Sequence, residues 1–266
     1  MKKRDSEFIL FCDLDGTILD AEGKIQPNVL QYMKKMSNIC YVATGRSQNS
    51  LLCVPDYERL VSIFEAQMIC YNGNALWNTS NRCLQVLNSI QNVGIKVEKL
   101  VEEKIEFAID LGGVIYSTSK GSALRYSLYN MVPRKFIRIG VNEIKSEAQG
   151  LLLHIYCDSR ERVFVEKLFS NTEIRYEYWP KYLIVYPAHT DKVNAIRYIK
   201  KLYYYSEQKI ATLGNSDNDI GMTQFADYGI AVSESTNGLK KIADAILDGT
   251  CVNTTSKKRF NDGSNK

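Results

Sequence analysis

Short apolar runs alternate with amphipathic segments near both ends of the chain. The runs "FILFCDLD" (8–15), "ICYVAT" (39–44) and "AQMICYN" (66–72) are predicted strands of the first part. The runs "KIATLG" (209–214) and "YGIAVS" (228–233) are predicted strands of the last third. Apolar runs separated by amphipathic helices are typical of a parallel sheet with crossover helices. The pattern therefore predicts an α/β fold.

Helical periodicity fills the stretches between these strands. The predicted helices are "NVLQYMKKMS" (28–37), "SLLCVPDYERLV" (50–61), "VNAIRYIKKLYYY" (193–205), "NDIGMTQFA" (218–226) and "TNGLKKIADAIL" (236–247). Residues 252–266 are polar and without periodicity, which predicts a loose tail.

The middle of the chain has a different pattern. Long stretches of alternating apolar and polar residues, with two or three helices between them, run from about Thr79 to Pro187. Examples are "EFAIDLGGVIYSTS" (106–119), "LLLHIYCD" (151–158) and "TEIRYEYWPKYLIVYP" (172–187). This alternation favours an inserted α+β segment with a mostly antiparallel sheet.

Length and composition support a core domain with one insertion. A chain of 266 residues is long for one domain and short for two large ones. We predict a core domain of residues 1–78 and 188–266 and a cap domain of residues 79–187. With 45% hydrophobic and 24% charged residues, the composition is that of a soluble globular protein. The net charge of +4 is too small to indicate a nucleic-acid partner, and no run approaches the roughly 20 apolar residues of a membrane span.

The cysteines indicate a reducing compartment. There are seven, an odd number, without a CxxC pair, and Cys12, Cys40 and Cys70 fall inside apolar runs. We interpret them as reduced thiols of a cytoplasmic protein, with neither a disulfide framework nor a zinc site. Asp13 interrupts the apolar run that follows the basic N-terminus, which argues against a signal peptide.

Polar motifs follow the predicted core strands, at the sheet edge where α/β proteins bind ligands. "DLDGT" (13–17), "TGR" (44–46) and "GNSDND" (214–219) each stand at the end of a predicted strand. Lys192 opens the helix that follows the insertion. Two neighbouring carboxylates repel each other unless a cation compensates them, so Asp13 and Asp15 indicate a divalent cation and a basic partner.

The motifs resemble those of the haloacid dehalogenase superfamily, specifically the Cof-type phosphatases with a class IIB cap. Residues 13–17 match the first motif, DxDGT, and Thr44-Gly45-Arg46 match the second. Lys192 matches the third motif, residues 214–219 match the fourth, usually GDxxND, and "YNGNA" (71–75) matches the hinge. The resemblance covers essentially the whole chain, and four motifs in order are far more specific than one. It implies a Rossmann-like α/β core with a parallel sheet and an inserted α+β cap.

The resemblance also implies catalytic roles and a cofactor. Asp13 would be the nucleophile that forms an aspartyl-phosphate, and Asp15 would act first as general acid and then as general base. Lys192 would pair with the nucleophile and the phosphoryl group. The implied cofactor is Mg²⁺, which prefers oxygen ligands. Its implied ligands are Asp13, Asp15 through the backbone carbonyl, Asn215 and Asp219.

The implied substrate is a small phosphorylated metabolite, with a sugar phosphate as the leading candidate. Thr44 and Gly45 would bind the phosphoryl group, helped by backbone N–H groups that open the next helix. Arg46 and Asn218 would hold the phosphate or order its loop. Neither a nucleic-acid nor a membrane partner is expected, and the sequence carries no signal for the oligomeric state.

One position departs from the family pattern and keeps other functions open. Asn215 stands where an aspartate is usual, so the site has one negative charge fewer and weaker metal binding is predicted; Asp217 is a carboxylate that could compensate. The alternatives are a non-catalytic phosphometabolite-binding protein, supported by Asn215, and a phosphomutase, disfavoured by the long α+β insertion. His154 lies in an alternating strand and His189 follows a Pro-Ala pair, so we expect both to be structural.

Overall fold

A computed structural model of the chain describes residues 7–177, 182–205 and 207–255. The chain divides into two compact units, each described by itself below. The first unit comprises the residues up to Val42 and from Lys200 onward, and the second comprises Ala43–Ile199. In the ranges described, no helix has both the length and the apolar character needed to cross a membrane. The proposed domain boundaries, after residues 78 and 187, remain a prediction.

The strands and helices have the following bounds. The strands are β1 (Phe8–Cys12), β2 (Cys40–Val42), β3 (Gln67–Cys70), β4 (Ala75–Asn78), β5 (Cys83–Val86), β6 (Glu106–Asp110), β7 (Ile115–Ser117), β8 (Ile137–Ile139), β9 (Leu152–Tyr156), β10 (Glu173–Glu177), β11 (Tyr182–Tyr186), β12 (Lys209–Gly214), β13 (Tyr228–Val232), β14 (Ala245–Asp248) and β15 (Cys251–Thr254). The helices are α1 (Pro27–Met36), α2 (Gln48–Leu51), α3 (Tyr57–Ile63), α4 (Val93–Glu102), α5 (Lys120–Asn130), α6 (Ser159–Leu168), α7 (Lys192–Leu202), α8 (Ile220–Phe225) and α9 (Asn237–Ile242). Short 3₁₀ turns cover Tyr71–Gly73, Arg134–Phe136 and Asp217–Asp219.

The first unit is built on a six-stranded sheet of order β15-β14-β13-β12-β1-β2. Its strands are parallel except β15, which pairs antiparallel with β14. The central strand β1 is a continuous apolar run in which residues 9–12 are buried, as expected for a parallel strand covered on both faces. This confirms the predicted α/β core with a Rossmann-like parallel sheet.

The C-terminal part of this sheet differs from the prediction. The helix predicted over 236–247 ends at Ile242, because Ala243 is extended and Ala245–Asp248 form β14 beside β13. The predicted loose tail is also partly wrong, because Cys251–Thr254 form the edge strand β15. The remainder of that tail, 256–266, lies outside the described residues.

The second unit contains a six-stranded sheet of order β10-β11-β9-β6-β7-β8. All neighbours are antiparallel except β7 and β8. Alternate residues of β6, β9 and β11 form an apolar cluster with α4 and α6, as the period of two requires. Members of this cluster are Val97, Phe107, Ile109, Leu153, Ile155, Val165, Leu183 and Val185. The predicted α+β insertion with a mostly antiparallel sheet is confirmed.

Two predictions in the second unit were wrong in detail. The helix predicted over 50–61 is two helices, α2 and α3, separated around Pro55, which lacks the N–H that a continuous helix needs. The strand predicted over 66–72 is β3, but it belongs to an antiparallel sheet of order β3-β4-β5. The β4–β5 hairpin was not predicted, and the proposed domain boundary after Asn78 falls in its turn.

Candidate active site

The first group of candidate residues lies where β1 and β12 end. Asp13 directly follows β1, and its backbone N–H donates to the carbonyl of Leu213 at 2.9 Å. Since β1 and β12 are parallel and pair Cys12 with Leu213, the loops that follow them emerge side by side. This edge of the sheet is where α/β proteins bind ligands.

The loop after β1 explains the residues of the first motif. The carbonyl of Leu14 accepts from the N–H groups of the next three residues after Gly16, at 2.8–3.1 Å, which closes a tight turn. Gly16 has φ +71°, and a Cβ there would lie 2.3 Å from Nδ2 of Asn215. Thr17 donates its hydroxyl to Oδ2 of Asp13 at 3.3 Å, and both side chains are buried. The motif thus holds a carboxylate at a fixed position on the strand end.

The loop after β12 is organised by Asp219. Its buried carboxylate accepts from the backbone N–H groups of Asn215 at 2.9 Å and Ser216 at 3.1 Å. Asp217 is exposed and accepts from the hydroxyl of Thr236 at 2.7 Å, at the start of α9. Asn218 is also exposed, and its Oδ1 accepts from the Ser216 hydroxyl. Asp219 therefore fixes the backbone from which Asn215 projects.

Asn215 has a buried side-chain oxygen, Oδ1, that is not hydrogen-bonded to any residue within the described part of the chain. An unsatisfied buried carbonyl oxygen costs about 1–3 kcal/mol, so such an atom needs an explanation. An oxygen-binding cation would satisfy it, and Asp13 supplies a carboxylate from the neighbouring loop.

The donor set fits Mg²⁺ with an amide in place of one carboxylate. Among the residues described, no three His, Cys, Asp or Glu side chains group in a way that could hold a metal ion. Asp13, the backbone carbonyl of Asp15 and Oδ1 of Asn215 are all hard oxygen ligands of the kind that Mg²⁺ prefers.

Cys12 shows how enclosed the strand end is. Burial raises the pKa of its thiol well above the ordinary value, and repulsion from Cys40 and Asp13 raises it further. Cys12 is therefore a neutral thiol at physiological pH.

The second group of candidate residues surrounds the TGR sequence. Thr44 is buried, its N–H donates to the carbonyl of Ile69 at 2.9 Å, and its hydroxyl accepts from the N–H of Arg46 at 3.2 Å. The guanidinium of Arg46 donates to the Ser50 hydroxyl at 3.1 Å and contacts Sδ of Met131 at 3.4 Å. The loop is thus a compact structure with its basic side chain held between α2 and the end of α5.

The hinge sequence packs on this loop from the other side. Tyr71 and Asn72 donate their N–H groups to the carbonyls of Arg46 and Thr44, at 3.0 and 3.1 Å. Gly73 has φ +97°, and a Cβ there would lie 2.2 Å from the backbone oxygen of Asp191. Only glycine fits this approach of two backbones.

Lys192 begins α7 and is fully buried. Asp191 accepts from the N–H of Val193 at 2.9 Å, so it orders the first turn of α7. A buried lysine is rare unless its ammonium group is paired, which is consistent with a role toward an anion.

The candidate residues thus form two groups, one in each unit. Asp13, Asp15, Asn215 and Asp219 belong to the first, whereas Thr44, Gly45, Arg46 and Lys192 belong to the second and are linked by the Tyr71–Gly73 turn. Asn218 stands at the exposed end of its loop. Sequence reasoning missed Gln48 and Asp110, which are buried polar residues of the second unit. The alternation of β6 gave no signal for Asp110, because it falls in the same alternate set of positions as the polar Glu106.

The first unit is an α/β fold whose strand-end carboxylates lie at the edge of a parallel sheet where such proteins bind ligands. A family model described as haloacid dehalogenase-like hydrolase matches residues 10–254. The chain belongs to this family, which confirms the resemblance seen in its motifs. It is accordingly a hydrolase of the haloacid dehalogenase type.

Relatives and solved structures agree with the assignment. A Mycoplasma genitalium protein named a putative phosphatase is 28% identical over 277 aligned positions, covering 95% of this chain and 93% of that protein. A crystal structure of a Thermotoga maritima protein matches with a TM-score of 0.75 and 21% identity, covering 91% of this chain and 93% of that one. A structure described as a subclass IIB sugar phosphatase matches with a TM-score of 0.68 and 17% identity, covering 91% and 94%. The two structural likenesses concern the fold.

Proposed function

We propose that the protein is a Mg²⁺-dependent phosphatase that hydrolyses a small phosphorylated metabolite, a sugar phosphate, through an aspartyl-phosphate intermediate. The observation that carries the proposal is the pair of loops at the ends of the adjacent parallel strands β1 and β12: the first carries the buried carboxylate of Asp13, and the second carries the unsatisfied oxygen of Asn215. The family membership and the phosphatase name of the Mycoplasma genitalium relative support it. The sugar-phosphate class follows the description of the subclass IIB structure.

Asp13 is the proposed nucleophile. Its carboxylate is buried, bonded to Thr17 and set on a rigid strand end, so attack needs little reorganisation. Attack on phosphorus forms the Asp13–phosphoryl bond and breaks the bond to the leaving oxygen. Asp15 protonates that oxygen and then removes a proton from the water that hydrolyses the aspartyl-phosphate.

Mg²⁺, when bound, would neutralise the negative charge of the phosphoryl oxygens and of the carboxylates. The residues proposed to hold it are Asp13, Asp15 through its carbonyl, and Asn215. Asp219 orients Asn215 through the two backbone N–H groups that it accepts. Its direct ligation of the metal stays a prediction.

The second group of residues is proposed to bind the phosphoryl group. Thr44 donates its hydroxyl, and Lys192, which is buried at the start of α7, supplies positive charge to the phosphoryl oxygens. Arg46 donates to the Ser50 hydroxyl, and we propose that it orders this loop in addition to contacting the phosphate. Contact between Asn218 and the substrate stays a prediction.

The test is phosphate release from a panel of sugar phosphates and other phosphorylated metabolites, with Mg²⁺ and with a chelator. We expect release that requires Mg²⁺ and that falls more than about a hundredfold in Asp13→Asn, a barrier increase of more than ~2.7 kcal/mol. Asp20→Asn is the matched control, because Asp20 accepts backbone N–H groups in the following turn and has no proposed catalytic role. An inactive wild type, or Asp13→Asn within about tenfold of wild type, would overturn the proposal.

Asn215 supports a second candidate, a protein that binds a phosphometabolite without hydrolysing it. The neutral amide lowers the charge available to hold a divalent ion at the site. Calorimetric binding of a sugar phosphate, without phosphate release under the same conditions, would favour this candidate over the enzyme.

A further inference from the structure

A carboxyl group without a proposed catalytic role is buried in the second unit. Asp110 ends β6 and is fully buried. Its Oδ1 accepts from the N–H groups of Gly112 and Gly113, both at 2.9 Å. Its Oδ2 lies 2.9 Å from the Tyr71 hydroxyl and 3.4 Å from the Tyr126 hydroxyl. These contacts compensate the loss of water around the group, and they tie one side chain to three chain segments.

The Tyr71 hydroxyl is held from two sides. It lies within hydrogen-bonding distance of Asp110 and of Oε1 of Gln48, yet a hydroxyl carries one proton. Rotation of the Gln48 amide resolves the count, because its NH₂ group then donates to the Tyr71 oxygen while the Tyr71 hydroxyl donates to Asp110. This arrangement fixes the ring of Tyr71.

The backbone of Tyr71 shapes the TGR loop. Tyr71 and Asn72 have φ of 50° and 53°, a left-handed conformation that a tyrosine rarely adopts. In this conformation their N–H groups reach the carbonyls of Arg46 and Thr44. The side chain of Asn72 also lies against Gly45, where a Cβ would approach its Oδ1 to 3.0 Å. Loss of the left-handed turn would therefore release the loop that carries Thr44.

A second connection runs from the Asp110 turn to the helix after the loop. Asn49 of α2 donates its amide to the carbonyl of Gly113 at 2.9 Å. A Cβ on Gly113, which has φ +109°, would lie 2.4 Å from Nε2 of Gln48. The turn that Asp110 closes is thus packed against α2 without spare room.

We propose that Asp110 is a positioning residue for the Thr44–Arg46 loop, acting through the Tyr71 hydroxyl. The inference rests on the proposed function only in assigning that loop to the phosphoryl group. Asp110 is 39 positions from Tyr71 in the chain. Its hydrogen bonds within the described ranges go to Tyr71, Tyr126, Gly112 and Gly113, none of which has a proposed chemical role, so its effect on the loop passes through the hinge.

Tyr71→Phe and Tyr126→Phe form a matched pair for the test. Each deletes one hydroxyl that contacts the same oxygen of Asp110, and both rings are buried. Of the two tyrosines, only Tyr71 belongs to the hinge, where its backbone N–H donates to the carbonyl of Arg46. Hydrogen–deuterium exchange of peptides covering 43–47 and 69–74 reports directly on the hinge hydrogen bonds. We expect exchange there to accelerate about fivefold or more in Tyr71→Phe and by less than twofold in Tyr126→Phe.

Comparing the changes in KM and kcat distinguishes a positioning role from a general loss of stability. With 4-nitrophenyl phosphate, Tyr71→Phe should raise KM about fivefold, and more than it lowers kcat, whereas Tyr126→Phe should shift the melting temperature without this difference. Asp110→Ala should reproduce the exchange change. Asp110→Asn should restore protection, because its oxygen still accepts from the glycines and its NH₂ can donate to Tyr71.

The outcomes are decisive in either case. Equal exchange in wild type and Tyr71→Phe, or equal acceleration in both tyrosine variants, would overturn the positioning role. If wild type hydrolyses no phosphate ester, the proposed function fails, but the exchange comparison still decides whether Asp110 positions the loop.

Discussion

His154 makes stability depend on pH in a way that can be worked out from its surroundings. It lies in β9, fully buried, with its ring centroid 4.9 Å from that of Tyr126, 5.2 Å from Tyr129 and 5.6 Å from Tyr182. Nε2 is 3.3 Å from the amide of Asn130, and Nδ1 has no partner among the described residues. Burial lowers the pKa of His154 from 6.5 to about 3. The folded protein therefore holds a neutral imidazole.

The sign of the effect follows from where the proton binds. An unfolded chain takes up a proton on this histidine near pH 6.5, whereas the folded chain does so only near pH 3. The stabilisation is thus complete above about pH 6.5 and is lost progressively as the pH falls toward 3. The depressed pKa corresponds to about 2 kcal/mol lost between pH 7 and pH 5, and to a limit of about 5 kcal/mol.

The assay is urea unfolding followed by circular dichroism at pH 7 and pH 5. His154→Phe keeps an aromatic ring among the tyrosines but cannot titrate. His189→Asn is the matched control, because His189 is exposed and its φ of 58° suits asparagine. Wild type and His189→Asn should lose about 2 kcal/mol more than His154→Phe between the two pH values. Equal pH dependence in all three proteins, whatever the absolute stability of each, would show that His154 does not cause the loss of stability at low pH.

Three further predictions concern the strand-end loops. Asn215→Asp should lower the Mg²⁺ concentration for half-maximal phosphate release, because it restores a full charge beside a divalent ion; if only Asp217→Ala shifts that concentration, Asp217 is the ligand instead. Gly16→Ala should abolish activity, because its Cβ would collide with the side chain of Asn215. Gly140→Ala is the control, since Gly140 also has a positive φ but has open space around its Cβ position. Equal loss of activity in both variants would show that backbone strain, and not the contact with Asn215, causes the loss. Asp15→Asn should slow both formation and hydrolysis of the aspartyl-phosphate, and rapid-quench rates equal to wild type would reduce Asp15 to a turn residue.

The parallel core was predictable because its strands are buried on both faces. Such strands are uninterrupted apolar runs, as in β1, and this pattern differs from the mixed apolar and polar residues of an amphipathic helix. β14 was missed because Ala245 and Leu247 continue the apolar spacing of α9, and only pairing with β13 decides for a strand. The β4–β5 hairpin was missed because β5 is largely exposed and so lacks a buried pattern.

The candidate site also has a part that could be predicted from the sequence and a part that could not. Its motifs were predictable because each strand-end loop needs particular residues within a few positions, as Gly16 and Thr17 show. The hydrogen bond between Tyr71 and Asp110 joins two elements far apart in the chain, and the residues around each of them give no indication of the other. The unsatisfied oxygen of Asn215 likewise depends on the folded loop, although its substitution for aspartate was visible.

The proposed mechanism requires that Asp13 carries the phosphoryl group covalently during turnover. Mass spectrometry of the protein, acid-quenched while it hydrolyses a phosphate ester with Mg²⁺, tests this requirement. We expect the added mass of one phosphoryl group on the peptide that contains Asp13, and no such mass in Asp13→Asn. Turnover without any such adduct, or an adduct that persists in Asp13→Asn, would rule out Asp13 as the nucleophile.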